Sequence, residues 1–183
     1  VPVPLSSALN AELTGHEDIT QVYFSNEQLV RIRDEKYLQP GFLFADSNFT
    51  KIFDVELITR NSLDLRNPNT VYLSEELALK FFGSVENALD KELVIMDSMY
   101  LNVAGIIKNT PKRTHIPSKA IISISSLSEK YFTFKYNDWG THMSGFSTYL
   151  TISNKSSVEG ITANIQKISD YTDTLEERGG DAP

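Results

Sequence analysis

The chain has 183 residues, 40% apolar and 22% charged, enough for one domain or for two small subdomains sharing a boundary. Its net charge of −7 argues against nucleic acid as the main partner, because phosphate binding needs a cationic surface, and weighs against direct docking on anionic lipid. It contains no cysteine, which excludes disulfides, thiol catalysis and Cys-held zinc or iron–sulfur sites.

Residues 5–14 read as a short helix, capped by Ser6 or Ser7 and stopped at Gly15. Two strand candidates follow, Thr20 to Ser25 and Gln28 to Arg33, joined by a short turn at Asn26-Glu27. Pro40-Gly41 is a turn signal, and Phe42 to Ala45 reads as a short buried strand. Asp46 then stands where a helix N-cap belongs, its carboxylate able to accept from backbone N–H groups two or three residues on. That reading is preferred over a metal-binding or catalytic carboxylate. Phe49, Ile52 and Phe53 share one helical face at i, i+3, i+4.

Residues 59–69 are polar and end in the turn-rich Asn67-Pro68-Asn69. Val71 to Leu73 is a short strand. Ser74 caps a helix with Glu75 and Glu76 in its first turn, Leu77, Ala78, Phe81 and Phe82 on its apolar face, and Gly83 as its left-handed stop. Leu89 to Met96 and Tyr100 to Lys108 form a hairpin around Asp97-Ser98-Met99, and Gly105 inside the second strand predicts a bulge or close packing. A loop runs from Asn109 to Pro117, Lys119 to Ser125 is a further strand, and Ser126 to Tyr136 is ambiguous between helix and coil. Phe146 to Ile152 alternates as a strand. From Ser156 or Ser157 to about Arg178, Val158, Ile161, Ile165 and Ile168 repeat at helical spacing.

The chemistry-bearing residues form no catalytic pattern. His16, His115 and His142 have no HExxH-type spacing, and there is no GxSxG elbow, P-loop or GxGxxG. No metal and no cofactor is expected. The carboxylate pairs Glu75-Glu76 and Glu176-Glu177 read as solvated helix faces. Lys112 and Arg113, with His115, are able to meet a phosphate or an acidic partner, although a solvated loop is the preferred reading. Trp139, with Tyr136 and His142 nearby, reads equally as an interface anchor or as a core residue whose N–H finds a partner. No apolar run reaches the roughly 18–20 residues that span a bilayer. The VPVPL start has neither the basic region nor the apolar core of a signal peptide, so the sequence reads as a segment excised from a longer protein.

Four segments in order carry a resemblance. They are residues 42–83 (strand, Asp-initiated Phe-rich helix, Asn-Pro-Asn loop, strand, Ser-Glu-capped helix closed by Phe82-Gly83), NVAGIIKNTPKRTHIP, Trp139, and FSTYLTI. Together they resemble the MacB-like periplasmic core domain of FtsX/MacB-type ABC transporter permeases, particularly the Bacteroidetes versions. The matching positions include Gly105, Pro111, His115, Trp139, Phe146, Thr148, Tyr149 and Leu150. Asn109 stands where the family often has Asp, and Thr114 where it often has Ser. Two family glycines are replaced, in the Ile58-Thr59-Arg60-Asn61 and Ala88-Leu89-Asp90-Lys91 segments, so the turns there are expected to differ.

The resemblance implies an α+β fold: a porter-like α/β subdomain built from both chain ends, residues 1–58 and 118–183, with a small sabre-like, β-rich subdomain of residues 59–117 inserted. The terminal helices would lie in the first part, near a membrane stalk. It implies a non-catalytic domain on the periplasmic face of the bacterial inner membrane, transmitting ATP-driven movement in a transporter. The partners implied are a second permease copy, a periplasmic adaptor, a transported peptide, lipid-linked or small-molecule substrate, the cytoplasmic ATPase, and the membrane through flanking helices. The alternatives are a periplasmic ligand-binding or sensory module and, less favoured, a hydrolase with a dispersed active site.

Overall fold

The computed structural model describes residues 4–12, 16–25, 27–109, 116, 118–127, 144–152 and 158–177. In chain order these form α1 (Leu5–Glu12), β1 (His16–Phe24), β2 (Gln28–Ile32), β3 (Glu35–Gln39), β4 (Phe42–Ala45), α2 (Phe49–Ile52), β5 (Leu57–Arg60) and β6 (Thr70–Ser74). There follow α3 (Glu75–Phe82), α4 (Val85–Ala88), β7 (Glu92–Ile95), β8 (Met99–Ile107), β9 (Ala120–Ser123) with a 3₁₀ turn at Ile124–Ser126, β10 (Phe146–Ile152) and α5 (Val158–Glu177). The fold is α+β, as expected.

Among the described residues all ten strands join one mixed sheet in the order β10-β1-β4-β9-β6-β8-β7-β2-β3, with β5 also on β8. Pairing is antiparallel except for β4 with β9 and β6 with β8. The period-2 alternation of a strand distributes its side chains between two cores. Phe42 and Phe44 on β4, Val71 and Leu73 on β6, and Ala120 and Ile122 on β9 point into a large cluster closed by Leu77, Ala78 and Phe81 of α3 and Ala88 of α4. Leu43, Ala45, Tyr72 and Ile121 point the other way, onto Phe49 of α2 and Leu65. A third cluster joins Leu9 of α1, Ile161 and Ile168 of α5, and Ile19 of β1, so both terminal helices share one core. Val158, the first member of the helical repeat, is instead 63% exposed.

Five strands depart from the sequence expectation. The candidates Thr20 to Ser25 and Gln28 to Arg33 correspond to β1 and β2, each strand ending one residue earlier, but these do not pair with each other: β1 lies between β10 and β4, and β2 between β7 and β3. Charged β3 (EKYLQ) and short β5 (LITR) are strands held by one neighbour each, which their sequences do not signal. Leu89 is not the start of a strand: residues 89–91 leave α4, whose Ser84 cap accepts from Asn87 N–H at 3.1 Å, and β7 begins at Glu92.

Candidate functional site

The singled-out residues that the structure describes gather into two assemblies. The first centres on Asp46. Its carboxylate accepts from the Thr20 hydroxyl at 2.9 Å, from Gln21 N–H at 2.8 Å and from Asn48 N–H at 2.9 Å. The N–H two residues on is bound as expected, but Asp46 is not the cap. The N-cap of α2 is Asn48, which makes no side-chain cap bond, and the rest of the Asp46 carboxylate is committed to β1. Asn48 donates through Nδ2 to the Ile19 carbonyl at 2.9 Å, and Lys51 pairs with Asp18 at 2.6 Å. Phe49 is fully buried, Phe53 lies 4.7 Å from it between ring centroids, and Tyr149 of β10 meets Phe53 edge-on at 5.1 Å. The α2 turn is therefore bolted across β1 and β10 by an acid, an amide and three aromatic rings.

The second assembly holds α3. Ser74 Oγ accepts from Leu77 N–H at 3.3 Å, Glu75 and Glu76 fill the first turn, and Gly83 closes the helix at φ +83° with its N–H on the Leu79 carbonyl at 3.0 Å. Asn109 supplies a further cap, its Oδ1 accepting from Glu76 N–H at 3.0 Å. An amide or carboxylate oxygen at position 109 thus satisfies a donor of the first helical turn 33 residues earlier, and either serves. Gly105 fulfils both expectations. The β6–β8 register skips a residue between Val71 and Tyr72, and a Cβ at Gly105 would lie 2.8 Å from the Tyr72 ring. Phe82 is half-buried against the large core.

The two segments expected to lack the family's glycines meet in space. Asn61 Nδ2 donates to Asp90 Oδ1 at 2.6 Å, while Asn61 Oδ1 accepts from Leu63 N–H at 2.8 Å. Asp90 has a left-handed backbone, φ +62°. Local sequence gives no sign of this pair, because its members are distant in the chain. Nearby, buried Asp64 accepts from Arg66 Nη2 at 2.5 Å and from Arg66 N–H at 2.8 Å, and this partner holds the Asp64 carboxyl below its usual range. Burial raises the Tyr72 phenol.

Pro111, Lys112, Arg113, His115, Tyr136, Trp139 and His142 lie outside the described residues. Among the described residues no group of three or more His, Asp or Glu side chains is placed to hold a metal, and no helix is long and apolar enough to cross a membrane.

These assemblies define an α+β domain whose distinctive residues lock loops and helices onto one sheet. Residues 3–168 match the family described as MacB-like periplasmic core domain, and the chain belongs to that family. It is the periplasmic domain of a MacB/FtsX-like ABC transporter permease, a class that works with a cytoplasmic ATPase and other subunits. Solved structures share the fold. A domain of a putative permease protein from Porphyromonas gingivalis is similar with a TM-score of 0.80 and 21% identity, over 96% of this chain and 79% of that one. The periplasmic region of MacB from Actinobacillus actinomycetemcomitans gives 0.69 and 12%, over 100% and 84%. The extracellular domain of the noncanonic ABC-type transporter YknZ from Gram-positive bacteria gives 0.63 and 12%, over 99% and 86%. No curated protein matches in sequence.

Proposed function

We propose that this domain is non-catalytic and transmits ATP-driven conformational change from the membrane to a partner or substrate outside it. The observation that carries the reading is the family match over residues 3–168, which takes in both residue assemblies. Both are spent on stiffness. Asp46, Asn109 and Ser74 direct their polar atoms at backbone and neighbouring side chains, as does Asp64 in the β5–β6 loop, which suits a body that moves as a unit. In this reading the domain sits at the periplasmic face of the inner membrane, beside a second permease copy and a periplasmic adaptor. Residues 59–117 and the two flanking segments are its two parts, joined through a shared sheet. Only contacts that differ between nucleotide states carry work of this kind.

The test uses the full transporter. A spin label at Glu86→Cys, exposed on α4, reports the distance between the two copies by electron resonance. A distribution that shifts between nucleotide-free and ATP-trapped transporter supports the proposal. Identical distributions during active transport, or stoichiometric ATP binding to these 183 residues alone, sink it.

A further inference from the structure

Among the described residues, no helix covers one face of the sheet at its far end. On β2, Val30 and Ile32 enter the large core, so Leu29 and Arg31 face the other way. The register places Leu29 opposite Leu38 and Arg31 opposite Lys36 on β3, Arg31 beside Val94 on β7, and Val94 opposite Tyr100 on β8. These side chains therefore share one surface. Leu38 is 63% exposed, Tyr100 53% and Leu29 43%, three of the largest apolar exposures among the described residues. Arg31 and Lys36 make no ion pair among the described residues.

Two cations directly opposite each other across a strand pair destabilise the hairpin that carries them. Here they stand beside an exposed leucine pair, on a chain of net charge −7. An apolar patch with two cations that make no ion pair among the described residues, and one carboxylate, Glu92, on the same face of β7, fits an apolar surface bearing carboxylates. Two other occupants fit worse. A second copy meeting this face about a two-fold axis gathers four cations. An anionic membrane meets the repulsion of the acidic domain as a whole.

We infer that the outer face of β2, β3, β7 and β8 is a docking surface for an acidic, apolar-patterned segment of a protein partner, gripped by Leu29, Leu38 and Tyr100 and neutralising Arg31 and Lys36. The inference rests on the reading of the domain as one that works through protein contacts, and it names the surface that makes them.

The probe is a blocked peptide alternating Glu with Leu and Tyr, titrated into the isotope-labelled domain and followed by NMR. The controls are its Gln and Lys counterparts and vesicles of phosphatidylglycerol with phosphatidylcholine. Saturable shifts confined to residues 28–38 and 92–102, weakened by salt and produced by the Glu peptide alone, are the expected result. The substitution Lys36→Glu is expected to weaken this binding about tenfold or more, while raising the melting temperature of the free domain by removing the like-charge pair. A domain that merely misfolds gives the opposite melting shift.

The proposal is overturned by shifts elsewhere or none, by equal response to the Gln or Lys peptide, or by vesicle binding through the same residues. It is likewise overturned by concentration-dependent self-association at this face, or by a Lys36→Glu domain that binds unchanged. Because the peptide test uses the isolated domain and the spin-label test the transporter, failure of one is distinguishable from failure of the other.

Discussion

Asp90 and Gly105 illustrate how one residue's backbone decides what is tolerated. Asp90 occupies a conformation that costs a side-chain-bearing residue about 1 kcal/mol or more, offset by its hydrogen bond from Asn61. Asp90→Ala keeps the strain and loses the bond, whereas Asp90→Gly loses the bond but relieves the strain. In urea unfolding the Gly variant is therefore expected to be about 1 kcal/mol more stable than the Ala variant; equal midpoints would remove the strain argument. At Gly105 the constraint is contact. Its backbone is ordinary, but an added methyl would enter the Tyr72 ring, with Leu57 Cδ1 at 3.2 Å on another side. Gly105→Ala is expected to cost about 1–3 kcal/mol by overpacking. The variant Gly105→Ala combined with Tyr72→Leu should recover part of that loss, and a lack of recovery in a double-mutant cycle would show the ring is not the obstacle.

At the scale of the element, α3 is held by signals of two kinds. Ser74, Glu75 and Gly83 are local and were readable from the sequence, whereas the Asn109 cap is a long-range contact and was not. Replacing Asn109 by Ala is expected to cost about 1 kcal/mol, and by Asp to cost little, because a carboxylate at a helix N-terminus accepts the same bond with help from the macrodipole. Thermal unfolding of the two variants separates these outcomes. The same distinction explains what else was legible. The β7–β8 hairpin turns on three consecutive residues, and α3 carries its own start and stop. The partners of β1, by contrast, are β4, with Val22 opposite Ala45, and β10, with Thr20 opposite Tyr149, and no local pattern records a pairing across so much chain. Asp46 followed the same rule. Its neighbours imply a cap, and its actual work is done on Thr20 and Gln21, which only the folded sheet brings near.

The loop between β5 and β6 adds a pH dependence. Asp64 has a lowered folded pKa because Arg66 donates to it, so its stabilising contribution is complete above the unfolded value of about 3.9 and is lost as pH falls through the lower folded value. The backbone it supports is tied to β9, where Ser123 Oγ donates to the Leu65 carbonyl at 2.8 Å, and to β6, where the Thr70 hydroxyl donates to the Asp64 carbonyl at 2.9 Å. Acidification is therefore expected to loosen residues 63–67 before the sheet. Amide signals followed from about pH 5 to pH 2 should show this, and Asp64→Asn should be less stable at neutral pH with that step flattened.

Across the whole molecule, the β2–β3 hairpin shows that position in the chain does not decide which body a segment moves with. It leaves the N-terminal segment between β1 and β4, yet it is fastened to the elements of residues 59–117. Arg31 pairs with Val94 on β7, the Tyr37 ring lies 5.1 Å from Phe81 of α3, and Lys80 donates to Gln39 Oε1 at 2.7 Å while lying over the Tyr37 ring. Its Val30 and Ile32 share the large core with Leu93, Ile95 and Leu101. Local unfolding follows such packing rather than chain order. Phe81→Ala is thus expected to destabilise by about 3–5 kcal/mol if no collapse fills the cavity, and to accelerate amide exchange in β2 and β3 together with α3 and β7. Strands β1 and β10, whose side chains pack largely with α1, α2 and α5, should retain their protection longer. If β2 and β3 instead keep the exchange rates of β1 while α3 opens, the hairpin belongs with the chain ends.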